Sequence, residues 1–150
     1  MTLEDFEVAD FPLQKAPSAA LSGGFVYVFS MLVDSVDLPF YVGQTNRFSG
    51  RMRDYSLANF AACTDFCVGE AIKYLKSEKN YRIVVRYTAS SDPLRQEKAI
   101  IRRLLVSGVR LLNCLPRYDY RTDDEGVERE TVRKFCDMLI DTIRIVTSSS

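Results

Sequence analysis

Apolar and aromatic residues crowd positions 24–32 (GFVYVFSML) and again 38–45 (LPFYVGQT), with the polar VDSVD between them, a pattern that predicts a β-hairpin. Pairing placed symmetrically about Asp34 sets Tyr27 opposite Tyr41, each seven residues from the centre. The period then lengthens. SGRMRDYSLANFAA (49–62) predicts a helix with Ser49 as its N-cap and Gly50 as a weak point; on it Arg51 and Tyr55, four apart, share a face. TDFCVGEAIKYLKSEKN (64–80) predicts a second helix capped by Thr64 or Asp65, with Gly69 as an interior weakness. The β-branched run YRIVVRYTA (81–89) gives a third strand. Ser91 or Asp92 as cap and Pro93 in the first helical position open a third helix, and Gly108 closes it. A last helix over about 128–147 carries Val132, Phe135, Leu139, Ile143 and Val146 on one stripe. It follows a polar loop, RYDYRTDDEGVE, and precedes a frayed TSSS tail.

One residue breaks the pattern of the third helix. At about 100° per residue, Leu94, Ile100, Ile101 and Leu104 all fall within about 60° of Glu97, so a carboxylate lies in the middle of an apolar stripe. Burying it unpaired costs several kcal/mol, which calls for a cation, a hydrogen-bond network or a pocket that admits water. A structural ion pair with an arginine would satisfy it. So would a divalent metal, in the manner of a metal-assisted phosphodiester hydrolase.

Composition narrows the class. The 150 residues suit one domain, long enough to bury roughly two thirds of its unfolded surface. No apolar run approaches the ~18 residues a membrane span needs, so no membrane partner is expected. The acidic start MTLEDFEVAD lacks the form of a secretory signal, and the expected location is cytoplasmic. The formal charge is zero, but it is unevenly divided: residues 45–118 hold 14 Lys and Arg against 6 Asp and Glu, while 1–44 sum to −5 and 119–150 to −3. A basic middle of that kind can face phosphate, or it can be a set of ordinary solvated helix faces. With no histidine, Ser-His-Asp and Cys-His nucleophile systems are excluded, as is any histidine-bearing zinc site. Cys63 and Cys67 of CTDFC are two thiols where structural zinc wants four ligands, so Cys63, Cys67, Cys114 and Cys136 read as buried free thiols.

Over roughly residues 24–116 the chain resembles the GIY-YIG nuclease family. The first signature triplet reads Phe25-Val26-Tyr27, of which the tyrosine matches outright, and the second reads Tyr41-Val42-Gly43. The remaining positions follow in order: Arg51 ten residues after the second tyrosine, Tyr55 one helical turn later, Glu97 on a helix after the third strand, and Asn113 just past that helix. Tyrosine at position 55, where many members carry histidine, resembles the nuclease domain of the bacterial excision-repair incision subunit.

The resemblance implies an α+β fold with a three-stranded, mainly antiparallel sheet flanked by helices and the site on one sheet face. An acidic arm (1–22) and an extra C-terminal helix complete the single domain. It further implies hydrolysis of DNA phosphodiester bonds, with RNA left open as a substrate. Glu97 is then the protein ligand of one divalent metal, Mg²⁺ or Mn²⁺, and Arg51 holds the scissile phosphate. Tyr27 is first choice to orient or deprotonate the attacking water; Tyr41 and Tyr55 position water and phosphate oxygens, and Asn113 supports the site through side-chain hydrogen bonds. A phenol with a reference pKa near ~10 needs the metal and Arg51 to act as a base. Arg47, Arg53 and Lys98 are candidates for contact with nucleic acid.

Bland alternatives accompany these roles. Each tyrosine could be core packing, and the arginines a solvated helix surface. The fold could also be a catalytically idle module that binds nucleic acid or a protein partner within a larger assembly. The C-terminal stripe could join two copies as a homodimer.

Overall fold

The computed structural model describes residues 3–13, 23–57, 63–115 and 125–148. In chain order its elements are β1 (Glu7–Asp10), β2 (Phe25–Val33), β3 (Val36–Thr45), α1 (Phe48–Leu57), α2 (Cys63–Lys73), β4 (Arg82–Ala89), α3 (Pro93–Val106) and α4 (Glu125–Ser148). A π-helical turn, Tyr74–Glu78, prolongs α2, and short 3-10 turns lie at Leu3–Asp5 and Leu112–Cys114.

The four strands form one α+β sheet in the order β1-β4-β2-β3, with every neighbouring pair antiparallel. Three strands were expected. The fourth, β1, comes out of the acidic N-terminal arm, where Glu7 to Asp10 pair with Tyr87 to Val84 on the side of β4 that would otherwise be open. Its four residues, EVAD, carry too little alternation to signal a strand. What makes them one is a partner more than seventy residues away, assisted by the exposed Arg82 Nε, which donates to Asp10 Oδ1 at 2.6 Å.

β2 lies inside the sheet and is buried on both faces. Phe25, Tyr27, Phe29 and Met31 pack with residues of α1, α2 and α4, whereas Val26 and Val28, joined by Val42, meet Ile100 and Leu104 of α3. Three layers result. α1 turns Phe48, Met52 and Tyr55 inward at the spacing of a helical face. It begins at Phe48, so Ser49 lies inside it rather than capping it, and α2 likewise begins at Cys63, ahead of Thr64 and Asp65.

The start and stop signals of α3 are as expected. The Asp92 carboxylate accepts from Arg95 N at 3.3 Å, Pro93 occupies the first turn, and Gly108 takes φ 86° beyond the end. Its apolar stripe is narrower than expected, because Leu94 is 51% exposed and Glu97 stands at the border of the buried patch formed by Ile100 and Leu104.

α4 starts at Glu125 and runs to Ser148, taking in residues expected as loop and tail. Val132, Phe135, Leu139 and Ile143 are buried in the core together with Cys136 and Ile140, while Val146 is 45% exposed. Four of the five stripe residues are thus buried in the chain's own core. Between α2 and α4 the Glu70 side chain, 4% exposed, meets Arg133 Nε at 3.1 Å and Arg129 Nε at 3.4 Å. Of the thiols, Cys136 is buried, Cys67 is half-buried and donates to Glu128 Oε1 at 3.3 Å, and Cys114 is exposed, contrary to expectation; the Cys63 side chain lies outside the described residues, as do positions 116–124 of the loop. Among the described residues no helix is long and apolar enough to cross a membrane.

Candidate active site

A defect in the hairpin decides where its tyrosines point. Val33 and Val36 pair across a two-residue turn in which Asp34 takes φ 54°, and this register persists to Ser30 opposite Pro39. It then shifts by one: Phe29 lies opposite Tyr41 and Tyr27 opposite Gly43, leaving Phe40 as the extra residue of a bulge. A slip of one residue exchanges the faces of a strand. In the register set by the turn Tyr27 would face Val42, and Tyr41 would point toward α3; the bulge returns Tyr41 to the Tyr27 side. The direct Tyr27–Tyr41 pairing expected from symmetry is therefore replaced by a diagonal one with ring centroids 6.4 Å apart. Pro39, which cannot donate to a ladder, is the sequence signal for the irregularity.

Gly43 has a separate reason to be glycine. A Cβ there would stand 2.6 Å from Tyr27 Cε2, and closer still to Cζ and the hydroxyl, so the tyrosine lies flat across the place a side chain would occupy. Tyr55 of α1 enters from above, its ring centroid 6.0 Å from that of Tyr27 and 6.2 Å from that of Tyr41. Phe29, whose part the sequence did not disclose, stands edge-on to Tyr27 and Tyr55 at 5.8 and 5.5 Å and fixes the ring angles. The Tyr27 and Tyr55 hydroxyls are hydrogen-bonded to each other, and the Tyr41 hydroxyl acts on Tyr55 in the same way.

These phenols are far from ionising. Tyr27 and Tyr55 are 1% and 2% exposed, and Tyr41 is half-buried. Burial is the largest cause that pushes each hydroxyl up, and the neighbouring phenols add to it. Two influences work the other way on Tyr27: the hydrogen bond from Tyr55 and the charge of Arg51. At neutral pH the cluster is therefore a set of hydroxyl donors. A phenolate there needs further positive charge.

Arg51, half-buried on α1, holds its guanidinium carbon 6.0 Å from the Tyr55 ring centroid, and its charge lowers all three phenols. Glu97 reaches the cluster from α3, and its charge raises Tyr27 and Tyr41. Glu97 is half-buried and makes no ion pair or hydrogen bond among the described residues. Desolvation pushes its carboxyl above the usual range, opposed by the adjacent Lys98. The arginine partner that would have explained an inward carboxylate is not found among the described residues.

The nucleic-acid candidates separate. Arg47 is exposed and its Nη2 pairs with Asp54 Oδ2 at 3.2 Å, near the site but engaged. Arg53, two residues from Arg51 and hence about 200° around α1, lines a cleft with Phe11, Pro12 and Ser56 behind the helix and does not join the site. Lys98 is exposed on α3. Asn113 is exposed yet fixed: its Oδ1 accepts from Val42 N at 3.0 Å and its Nδ2 donates to Val42 O at 2.7 Å. It holds the backbone between Tyr41 and Gly43 and acts through that strand.

Among the described residues no three Cys, Asp or Glu side chains stand together, so a metal at this site would have Glu97 as its one described carboxylate donor. That set fits a hard divalent ion such as Mg²⁺ or Mn²⁺, which keeps several waters and takes a further oxygen from phosphate. Among the described residues neither carboxylate oxygen is held by a protein cation in competition. Compared with protein-family models, curated proteins and solved structures, the chain finds no match.

Proposed function

We propose that the chain is a metal-dependent endonuclease that hydrolyses DNA phosphodiester bonds with a GIY-YIG-type site. One observation carries the reading. Glu97 is half-buried, has no hydrogen bond or ion pair among the described residues, and lies within electrostatic reach of Tyr27 and Tyr41. Desolvating a carboxylate without a partner is unfavourable, and a divalent cation supplies the missing one. Bound there, the ion supplies Lewis-acid polarisation of a phosphoryl oxygen. Arg51 binds a non-bridging oxygen and stabilises the charge that develops on it. Tyr41, the least buried of the phenols, orients the attacking water at its hydroxyl, while the Tyr27–Tyr55 pair fixes the position of Tyr41. Asn113 keeps the Tyr41 backbone in place through Val42.

A second reading rests on the same cluster. Because the Tyr27 and Tyr55 hydroxyls are buried and satisfied by each other, the fold could hold its tyrosines for packing and serve as an idle module that binds nucleic acid or protein. Purified protein incubated with supercoiled, linear, branched and single-stranded DNA and with RNA, with and without Mg²⁺ or Mn²⁺, separates the two. The nuclease reading expects metal-dependent cleavage that Glu97→Gln reduces to background while DNA binding persists. Binding without cleavage of any substrate establishes the idle module instead.

A further inference from the structure

α3 is a helix of fourteen residues that buries two of them, Ile100 and Leu104. Its opposite face is cationic. Arg95, Lys98 and Arg102, at i, i+3 and i+7, lie within about 60° of one another around the axis and line a cleft of about 440 Å³ with Asp92, Leu94 and Ala99. The Asp92 carboxylate in that cleft is engaged as the helix cap. None of the three cations forms an ion pair among the described residues; other exposed cations such as Lys73 and Arg144 are unpaired too, but on α3 three of them share one face and one cleft. Three like charges side by side repel, and nothing in the packing of α3 requires them, since the helix is anchored from its other side.

We propose that this outer face of α3 is a docking strip for the phosphate backbone of duplex DNA, separate from the tyrosine site. Seven residues of helix span about 10 Å, and a DNA strand presents a phosphate about every 3.4 Å along its axis, so the strip matches about three consecutive phosphates. Flexible Lys and Arg side chains on a helix contact phosphate without reading bases, so the strip supplies affinity and not sequence preference. Glu97 is turned about 130° or more from Arg95 and Arg102 on the same helix and about 100° from Lys98, so the two arginines face away from the reacting centre and Lys98 lies on the side of the strip nearest it. The inference needs the nucleic-acid half of the proposed function and not the cleavage half.

The test is duplex binding by fluorescence anisotropy in EDTA, across a potassium chloride series, with a 30-base-pair probe. The parent is compared with Arg95→Gln/Lys98→Gln/Arg102→Gln and with a control that removes three exposed charges elsewhere, Lys73→Gln/Lys134→Gln/Arg144→Gln. The strip variant should lose about 2 to 3 from the slope of log K against log salt and bind at least tenfold more weakly at moderate salt; the control should change the slope by less than about 1. All six positions are exposed, and circular dichroism melts verify that both variants fold. An unchanged slope in the strip variant, or an equal loss in the control, overturns the strip and leaves the cleavage reading standing. A parent that binds no duplex overturns the strip, and the cleavage reading is then decided by the metal-dependent assay on the other substrates. Tighter binding to single-stranded DNA or RNA, or competition by polyglutamate as strong as that by duplex, overturns the choice of duplex DNA.

Discussion

Tyr27 and Gly43 face each other across β2 and β3, and the tyrosine occupies the space a side chain at 43 would need. Gly43→Ala forces either the ring or the strand to move. Overpacking of this kind costs about 1–3 kcal/mol, and the displaced hydroxyl loses its bond to Tyr55. The variant should melt lower and lose activity together, read by thermal unfolding and a cleavage assay. Glu97 behaves in the opposite sense. Its carboxyl is pushed above the usual range in the folded chain, so the unfolded chain gives up that proton first, and stability from this group declines as pH rises through the window between the two values. Glu97→Gln removes that decline: at neutral pH it should unfold at the same or a higher temperature than the parent, and the two should converge in acid. An ion-paired glutamate would give a less stable glutamine variant at neutral pH, and that outcome would sink the account of Glu97 as a carboxylate waiting for a cation. Metal binding at subsaturating ion, which competes with that proton, should weaken in acid from a pH above the ordinary carboxylate range.

At the scale of elements, the seam between α2 and α4 holds charge asymmetrically. Glu70 is deeply buried between two arginines whose own side chains remain more than a third exposed. Replacing both arginines, Arg129→Met/Arg133→Met, strands a buried carboxylate and should cost about 3–5 kcal/mol in denaturant unfolding. Glu70→Met leaves two arginines that can turn to water and should cost less. α4 itself belongs to the core. Fully burying Val132, Phe135, Leu139, Ile140 and Ile143 at about 1.5–3 kcal/mol each contributes on the order of 8–15 kcal/mol, comparable with the whole stability of a domain. A chain ending before Glu125 should be insoluble or unfolded rather than a tidy monomer, as size-exclusion chromatography would show. The elements legible from sequence were those with local signals: the two apolar runs of the hairpin, the Asp92-Pro93 start and Gly108 stop of α3, and the stripe of α4. Length of signal sets the limit. EVAD is too short to declare itself and becomes β1 because β4 has an open side, while the bulge at Phe40 is announced by Pro39 but its effect on Tyr41 depends on counting registers from the turn.

Across the whole molecule the net charge of zero hides two populations of cations among the described residues, those matched by carboxylates and those without an ion pair, of which Arg95, Lys98 and Arg102 stand side by side on α3. Sequence could locate the basic middle but not this division, because pairing is set by which helices pack together. The candidate site was legible to a similar depth: Tyr27, Tyr41 and Tyr55 pack together beside Arg51 with Glu97 within electrostatic reach, yet Arg53 turns away behind α1, and the hold of Asn113 on Val42 joins positions 71 residues apart that no periodicity links. That last contact has a further consequence. β3 is the terminal strand of the sheet, and a ten-residue border with open N–H and C=O groups invites a strand from another molecule. Asn113 takes both backbone groups of Val42, and Pro39 has no N–H to offer, so the template is interrupted at two points. At the far border β1 is four residues long and carries Glu7 and Asp10. Asn113→Ala reopens the middle of β3, and the chain should then associate with itself at concentrations where the parent scatters no light; a variant that stays monodisperse would confine the asparagine to positioning Tyr41. The same amide that steadies the tyrosine strand thereby guards the molecule against joining copies of itself into fibres.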